Sequence, residues 1–151
     1  MAYHVAIARR RFVQGAAALA VVGVRNAHAA LPAIPSLDAW LAGRTPRFER
    51  IKLNIPALAD NGFAVPMRVT VEGPFAPGPY VKAIRLFSET NPVPDMAVFE
   101  FPVPIERVEI ESRIRLAGTQ QVVAVAEMTD GRLYAMSTEV IVTLAGCMDG
   151  T

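Results

Sequence analysis

The sequence predicts an all-β protein: an immunoglobulin-like β-sandwich of about seven strands, with a short N-terminal helix and a flexible C-terminal tail. Two observations predict this fold. From residue 48 onward, apolar residues alternate with polar ones at the period of two that β-strands require. Pro, Gly, Asn and Asp residues break these segments at the positions expected of turns. Because there is no Cys…Trp…Cys pattern, an antibody-type domain is excluded.

Residues 1–29 differ from the rest of the chain and predict an export signal. Arg9 and Arg10 precede Phe12, a short apolar run follows, and Ala29 ends a small-x-small cleavage site. The run is too short for a membrane span, which needs about 20 apolar residues. The Arg-Arg-x-Phe order favours the twin-arginine route, which carries folded proteins, and it therefore predicts a periplasmic protein. An ordinary secretory signal is the alternative.

The composition of the remaining chain excludes several functional classes. Residues 1–29 contain four Arg and no acid, so the rest has 11 basic and 14 acidic residues and a net charge of −3. That charge, without a basic run, argues against nucleic-acid binding. Both histidines, His4 and His28, lie in the signal, which excludes a Ser-His-Asp triad, a Cys-His pair and a His-ligated zinc. A single cysteine excludes an internal disulfide, and no catalytic residue, metal or cofactor is predicted.

Residues 30–47 predict a linker followed by one short helix. Ser36 is a suitable N-cap, the apolar residues after it share one face, and Gly43 is a suitable stop. The helix is therefore expected over residues 36–42, and it is expected to dock on the domain through Trp40.

The sandwich itself is predicted over residues 48–144. Its expected strands are Ile51–Ile55, Val65–Val71, Tyr80–Ser88, Met96–Phe101, Val108–Leu116, Gln121–Thr129 and Leu133–Leu144. Residues 121–129 are mainly apolar, which is typical of a central strand. Charged residues alternate along residues 108–116 and predict a solvated face of the sheet, whereas residues 56–62 are expected to form a loop.

Cys147 is the one residue for which the sequence predicts chemistry. It lies in a predicted flexible tail, residues 145–151, in which Gly146 and Gly150 add backbone freedom. An exposed, unpaired thiol on an exported protein invites unwanted disulfides, so its presence suggests that it has a use. Covalent attachment of a ligand is the favoured interpretation, and an incidental thiol is the alternative.

Several sequence segments together resemble one known family. They are Val65-Pro66, Tyr80-Val81-Lys82, Asn91-Pro92-Val93-Pro94, Arg113-Ile114-Arg115-Leu116-Ala117 and residues 123–131. In the order and spacing of these segments, the chain resembles SoxY, the sulfur-carrying subunit of the periplasmic thiosulfate-oxidising (Sox) system. The family ends in Gly-Gly-Cys-Gly-Gly, a swinging arm, and Gly146 and Cys147 match this motif.

Three positions of the terminal motif differ from the family, namely Ala145, Met148 and Asp149. Met148 adds bulk to the arm. Asp149 places a negative charge two residues from the thiol, which disfavours the thiolate and repels anionic thiosulfate.

The resemblance implies a non-catalytic carrier on which Cys147 holds the sulfur substrate covalently. It implies a heterodimer with a SoxZ-like subunit, which is a second immunoglobulin-like chain. It also implies three enzyme partners: a c-type cytochrome, a sulfate-releasing hydrolase and a sulfur dehydrogenase. The alternatives are an exported module for protein interaction and a diverged SoxY paralogue whose cysteine does not carry thiosulfate.

Overall fold

The computed structural model describes residues 30–73, 75 and 77–146. The predictions for the signal peptide and for residues 147–151 therefore lie outside the described residues. The described part of the chain contains one helix and eight strands. The elements are α1 (Pro35–Leu41), β1 (Ile51–Asn54), β2 (Leu58–Ala59), β3 (Val65–Val71), β4 (Val81–Ser88), β5 (Asp95–Glu100), β6 (Val108–Ile114), β7 (Gln120–Met128) and β8 (Leu133–Val142).

The strands form two sheets, as expected of a sandwich. One sheet has three strands in the order β1-β3-β6, and the other has five in the order β2-β8-β7-β4-β5. All neighbouring strands are antiparallel except β2 and β8, which are parallel. The all-β sandwich prediction is confirmed, and the predicted strand bounds differ from the observed ones by at most two residues.

Strand β2 is the element that the sequence prediction missed, because it lies in the predicted loop 56–62. The amide of Ile141 donates to the carbonyl of Ala57 (2.9 Å), and the amide of Thr143 donates to the carbonyl of Ala59 (3.1 Å). A strand of two residues is too short to show a period, so only its pairing with β8 reveals it.

The main core lies between the two sheets and is built from the alternate residues that face inward. On β7 these residues are Val122, Ala124, Ala126 and Met128, all buried. The intervening residues Val123 and Val125 are also buried, in a second core on the outer face of the five-stranded sheet. The prediction that this strand is central is therefore confirmed, and α1 is the element that covers its outer face.

Helix α1 begins one residue earlier than predicted, at Pro35, and ends at Leu41. The prediction that Ser36 caps the helix is wrong: Ile34 is the N-cap and makes no side-chain cap hydrogen bond. Proline suits the first helical position because its missing N–H would have no partner there. Ile34, Leu37 and Leu41 are buried in the outer core and hold the helix on the sheet.

Trp40 packs at the edge of this outer core, as predicted, but it is less buried than Leu37 and Leu41 of the same helix. Its ring centroid lies 6.1 Å from that of Phe87. The guanidinium groups of Arg44 and Arg85 lie 4.8 Å and 5.1 Å from the Trp40 ring centroid. Two cations on one indole stabilise the docked helix by cation–π attraction, which is worth about 0.5–1 kcal/mol per contact where water has access.

The outer face of the three-stranded sheet carries the charged residues, as predicted. Lys52 pairs with Glu72, and Arg68 pairs with Glu109 (3.5 Å) and with Glu111. The hydrogen bond from Lys52 and its charge hold the pKa of Glu72 below its usual value. Exposed pairs of this kind contribute little to stability, so this face is solvated surface rather than a site.

Candidate functional site

The chain segment that leads to Cys147 is held at one end of the sandwich by three backbone hydrogen bonds. The amide of Gly62 donates to the carbonyl of Leu144 (2.7 Å), and the amide of Leu116 donates to the carbonyl of Gly62 (2.8 Å). The amide of Gly146 in turn donates to the carbonyl of Leu116 (2.7 Å). These four residues, Gly62, Leu116, Leu144 and Gly146, are called the clasp below.

The clasp requires glycine at both of its glycine positions. A Cβ atom on Gly62 would lie 2.7 Å from the Gly146 nitrogen and 3.0 Å from the Leu144 oxygen. A Cβ atom on Gly146 would collide with the Gly62 carbonyl and would lie 2.7 Å from the Phe63 nitrogen. Real Cβ atoms do not come this close to backbone, so the two segments can meet only where side chains are missing.

Gly146 is therefore a buried packing residue, although it was predicted to add freedom to the tail. The sequence cannot distinguish a glycine that allows close packing from a glycine that adds backbone freedom, because both functions depend on the missing side chain. A flexible arm at this end of the chain would have to begin beyond Gly146. The other predicted site residues lie outside the described residues: Cys147, Gly150, Arg9, Arg10, Phe12 and Ala29.

Asn91 holds the loop that carries Leu116 through hydrogen bonds to the backbone on both sides of that residue. Its Nδ2 donates to the carbonyl of Arg115 (2.9 Å), and its Oδ1 accepts from the amide of Ala117 (2.9 Å). The same Oδ1 accepts from Nε2 of the buried Gln120 (2.9 Å). The sequence showed only a turn at Asn91-Pro92, since a contact across 24 residues leaves no local pattern.

Four exposed apolar residues lie in or near the chain segments that form the clasp. Phe63, which follows Gly62, and the clasp residue Leu144 are 45% and 57% exposed. Leu58 and Ile141 pair across β2 and β8 and are 56% and 51% exposed. Together these are four of the seven large apolar residues that are exposed in the described part of the chain.

Two arginines lie on the segment that carries Leu116. Arg113 and Arg115 are exposed, and neither makes an ion pair within the described part of the chain. Arg115 immediately precedes Leu116, whose carbonyl binds the Gly146 amide. Both arginines line one surface pocket together with Asp95, so their positive charge has an acidic residue nearby.

Residues 30–73, 75 and 77–146 contain neither a cluster of metal-ligating side chains nor a membrane-spanning helix. No group of three or more His, Cys, Asp or Glu side chains in this part could hold a metal ion. Likewise, no helix in it is long and apolar enough to cross a membrane.

The fold and the clasp define a small β-sandwich protein that holds residues 144–146 at one end. The chain belongs to the SoxY family: the model of the sulfur oxidation protein SoxY matches residues 38–147. This match covers most of the sandwich and ends on the cysteine itself.

One solved structure agrees with this assignment, and a second shares the fold. The sulfur carrier protein SoxY from Chlorobium limicola f thiosulfatophilum is 28% identical, with a TM-score of 0.57, over 72% of this chain and 94% of that chain. Superoxide reductase from Nanoarchaeum equitans is 15% identical, with a TM-score of 0.52, over 64% of this chain and 100% of that one. At that identity the second likeness concerns the fold alone. A comparison with curated proteins found no match.

Proposed function

We propose that this protein is a periplasmic sulfur carrier that holds thiosulfate-derived intermediates covalently on Cys147. The observation that carries the proposal is the SoxY family match, which extends to residue 147. The related structure from Chlorobium limicola f thiosulfatophilum, itself a sulfur carrier protein, supports the same role.

The proposed loading step is an oxidative conjugation. The thiol of Cys147 and thiosulfate form an S–S bond, one proton leaves the thiol, and two electrons pass to the c-type cytochrome partner. A hydrolase then adds water across the bond between the sulfane sulfur and the sulfonate group, which releases sulfate and leaves a persulfide on Cys147. A sulfur dehydrogenase oxidises the outer sulfur of that persulfide to a sulfonate with oxygen from three waters, and six electrons pass to its electron acceptor. A second hydrolysis then releases sulfate and restores the thiol of Cys147.

The protein itself supplies no catalytic group in this proposal. Both histidines lie in the predicted signal, so no imidazole accompanies the thiol in the exported chain. Arg115 is exposed and directly precedes the clasp residue Leu116, and its positive charge favours an anionic substrate. Activation of the thiol is left to the partner enzymes, and tethering gives each of them a high local concentration of substrate.

The direct test is the intact mass of the protein purified from the periplasm of its own host during growth on thiosulfate. We expect adducts of thiosulfonate, sulfane or sulfonate on Cys147, and all three should disappear after reduction with dithiothreitol, because each is joined to the cysteine through an S–S bond. A preparation that carries only the bare thiol under these conditions would contradict the carrier function.

We also propose that the protein works as a heterodimer with a SoxZ-like subunit, a second immunoglobulin-like chain. Within the described residues, β5 and β6 each pair with a single neighbouring strand. Such edge strands carry unpaired backbone groups that a partner sheet can complete. Export of the folded protein would carry along a partner without its own signal.

Export by the twin-arginine route is the third part of the proposal, and it leads to a prediction. Replacing Arg9 and Arg10 with Lys should abolish accumulation in the periplasm, because that route depends on the arginine pair. The measurement is the amount of protein in periplasmic and cytoplasmic fractions, and Arg25→Lys serves as the control within the same signal. Undiminished periplasmic protein in the double variant would exclude this route.

A further inference from the structure

Strand β6 is an open edge of the three-stranded sheet. Within the described part of the chain it pairs with β3 and with no other strand. A cavity of about 280 Å³ opens between β6 and β5, the edge strand of the other sheet, and residues of both strands line it. The side of β6 that faces away from β3 is therefore accessible to another strand.

Side chains of opposite charge follow one another along the outer face of β6. Glu109 and Glu111 come first, Arg113 follows in the same strand, and Arg115 lies directly beyond its end. All four share one face, because the residues that alternate with them, such as the buried Ile114, point into the core. Two acids are thus followed by two bases at a constant spacing.

The same residues turn their backbone groups toward the open side of the strand. The amide of Leu116 donates to the carbonyl of Gly62, shortly before β3 begins, so the even-numbered residues face β3. Successive residues of a strand point their N–H and C=O groups to opposite sides. The backbone groups of Glu109, Glu111 and Arg113 therefore face away from β3.

A second copy of β6 matches this edge in charge. Two copies can pair antiparallel about a twofold axis at Ser112. Glu111 of each copy then lies opposite Arg113 of the other, and Glu109 likewise lies opposite Arg115. Shifting the axis by one residue places Glu111 opposite Glu111, or Arg113 opposite Arg113. Like charges directly opposite each other destabilise a strand pair, so the charges select the axis at Ser112.

The inner face of β6 is incompletely covered in the single chain. Ile110 is half-buried and Ser112 is exposed, although both belong to the inward-facing series of the strand. The inward-facing residues of β3, in contrast, are all buried. With the axis at Ser112, Ile110 lies opposite Ile114 of the second copy, and this pair adds apolar contact to the ladder.

We propose that β6 pairs with β6 of a second copy and forms a symmetric dimer of this chain. Glu111 and Arg113 exchange backbone hydrogen bonds with Arg113 and Glu111 of the second copy. Arg113 and Arg115, which make no ion pair within the described residues, each gain a carboxylate opposite them. The dimer goes beyond the proposed carrier function and does not depend on it.

Sedimentation velocity of the exported protein, purified from its own host, tests the dimer. Dithiothreitol is present throughout, so that a disulfide between two Cys147 residues cannot hold the copies together. We expect particles with two copies of this chain, whose fraction rises with concentration. Particles with a single copy at every concentration would overturn the proposal.

Two charge reversals test the register. Glu111→Arg places arginines opposite each other, and Arg113→Glu places glutamates opposite each other, so each variant alone should dimerise about tenfold more weakly than the wild type. In an equimolar mixture every charge again meets its opposite, and mixed dimers should form with about the wild-type dissociation constant. If either variant fails to fold, Glu109→Arg and Arg115→Glu are a second complementary pair.

Glu72→Arg is the matched control for these variants. The Glu72 side chain is 56% exposed and pairs with Lys52, much as Glu111 is 61% exposed and pairs with Arg68. Glu72 directly follows β3, however, and lies away from the open edge. Glu72→Arg should therefore dimerise like the wild type. A thermal midpoint near the wild-type value in each β6 variant separates lost pairing from lost folding.

Three further results would overturn the proposal. Wild-type dimerisation of both β6 variants would show that the copies meet elsewhere. Folded variants that do not recover dimerisation when mixed would exclude the axis at Ser112. Loss of a co-purifying small subunit from the β6 variants would show that this subunit occupies the edge. None of these results concerns adducts on Cys147, so the carrier function is tested separately by intact mass.

Discussion

Replacing Cys147 with Ser is expected to remove every sulfur adduct from the protein. A thiolate can attack and hold sulfur, whereas the hydroxyl of serine does not ionise in the same range and cannot form the S–S bond. The measurement is intact mass after purification from the host on thiosulfate. The sequence contains no second cysteine, so no other residue can take over the attachment.

The same substitution should leave the fold unchanged. Serine differs from cysteine by one atom, and substitutions away from a packed core change stability by about 0.5 kcal/mol or less. Denaturant unfolding of the reduced wild type and of Cys147→Ser should therefore coincide. An adduct that persists on the variant, or a large loss of stability, would contradict the role proposed for this residue.

Replacing Gly62 with Ala is expected to open the clasp. The new methyl group would lie 2.7 Å from the Gly146 nitrogen and would also press on the backbone of Leu116 and Leu144. Backbone cannot yield as a flexible side chain does, so the terminal segment must move and its hydrogen bonds are lost. Two such bonds, Gly62 to Leu144 and Gly146 to Leu116, at about 0.5–1.5 kcal/mol each predict a loss of about 1–3 kcal/mol in the free energy of unfolding.

Gly118→Ala is the matched control for this experiment. Gly118 follows the loop that carries Leu116, but a Cβ atom there would meet no atom within 4 Å. The free energy of unfolding of Gly118→Ala should therefore equal that of the wild type or exceed it slightly, since alanine restricts the unfolded chain. Equal stability of Gly62→Ala and Gly118→Ala in urea would show that the clasp contributes nothing.

The strands could be predicted from the sequence because each buries one face or both. Alternation over residues 65–71 and the apolar run of β7 report burial directly, and the structure has strands at both places. Strand β2 and the start of α1 were not predicted correctly, for different reasons. The two residues of β2 show no period, and Ser36 resembles a cap although the preceding Ile34 takes that position.

The candidate site could also be predicted only in part from the sequence. The lone cysteine and its neighbouring glycine were evident as residues, and the family resemblance gave Cys147 a proposed role. The contacts around Gly146 were not evident, because Gly62 and Leu116 are distant in sequence. The hydrogen bond between Asn91 and Gln120 was also missed, because these two residues are distant in sequence.

The sequence by itself determined the sandwich, the single thiol and the membership of a sulfur-oxidation family, because these depend on local periodicity, composition and motif. Only the tertiary structure decided that Gly146 is docked rather than free, and that Phe63 and Leu144 flank the point where the chain approaches Cys147. A docked glycine and a free glycine look the same in the local sequence. The close approach of Gly62 is what makes Gly146 part of the fold, and that approach depends on residues 84 positions apart.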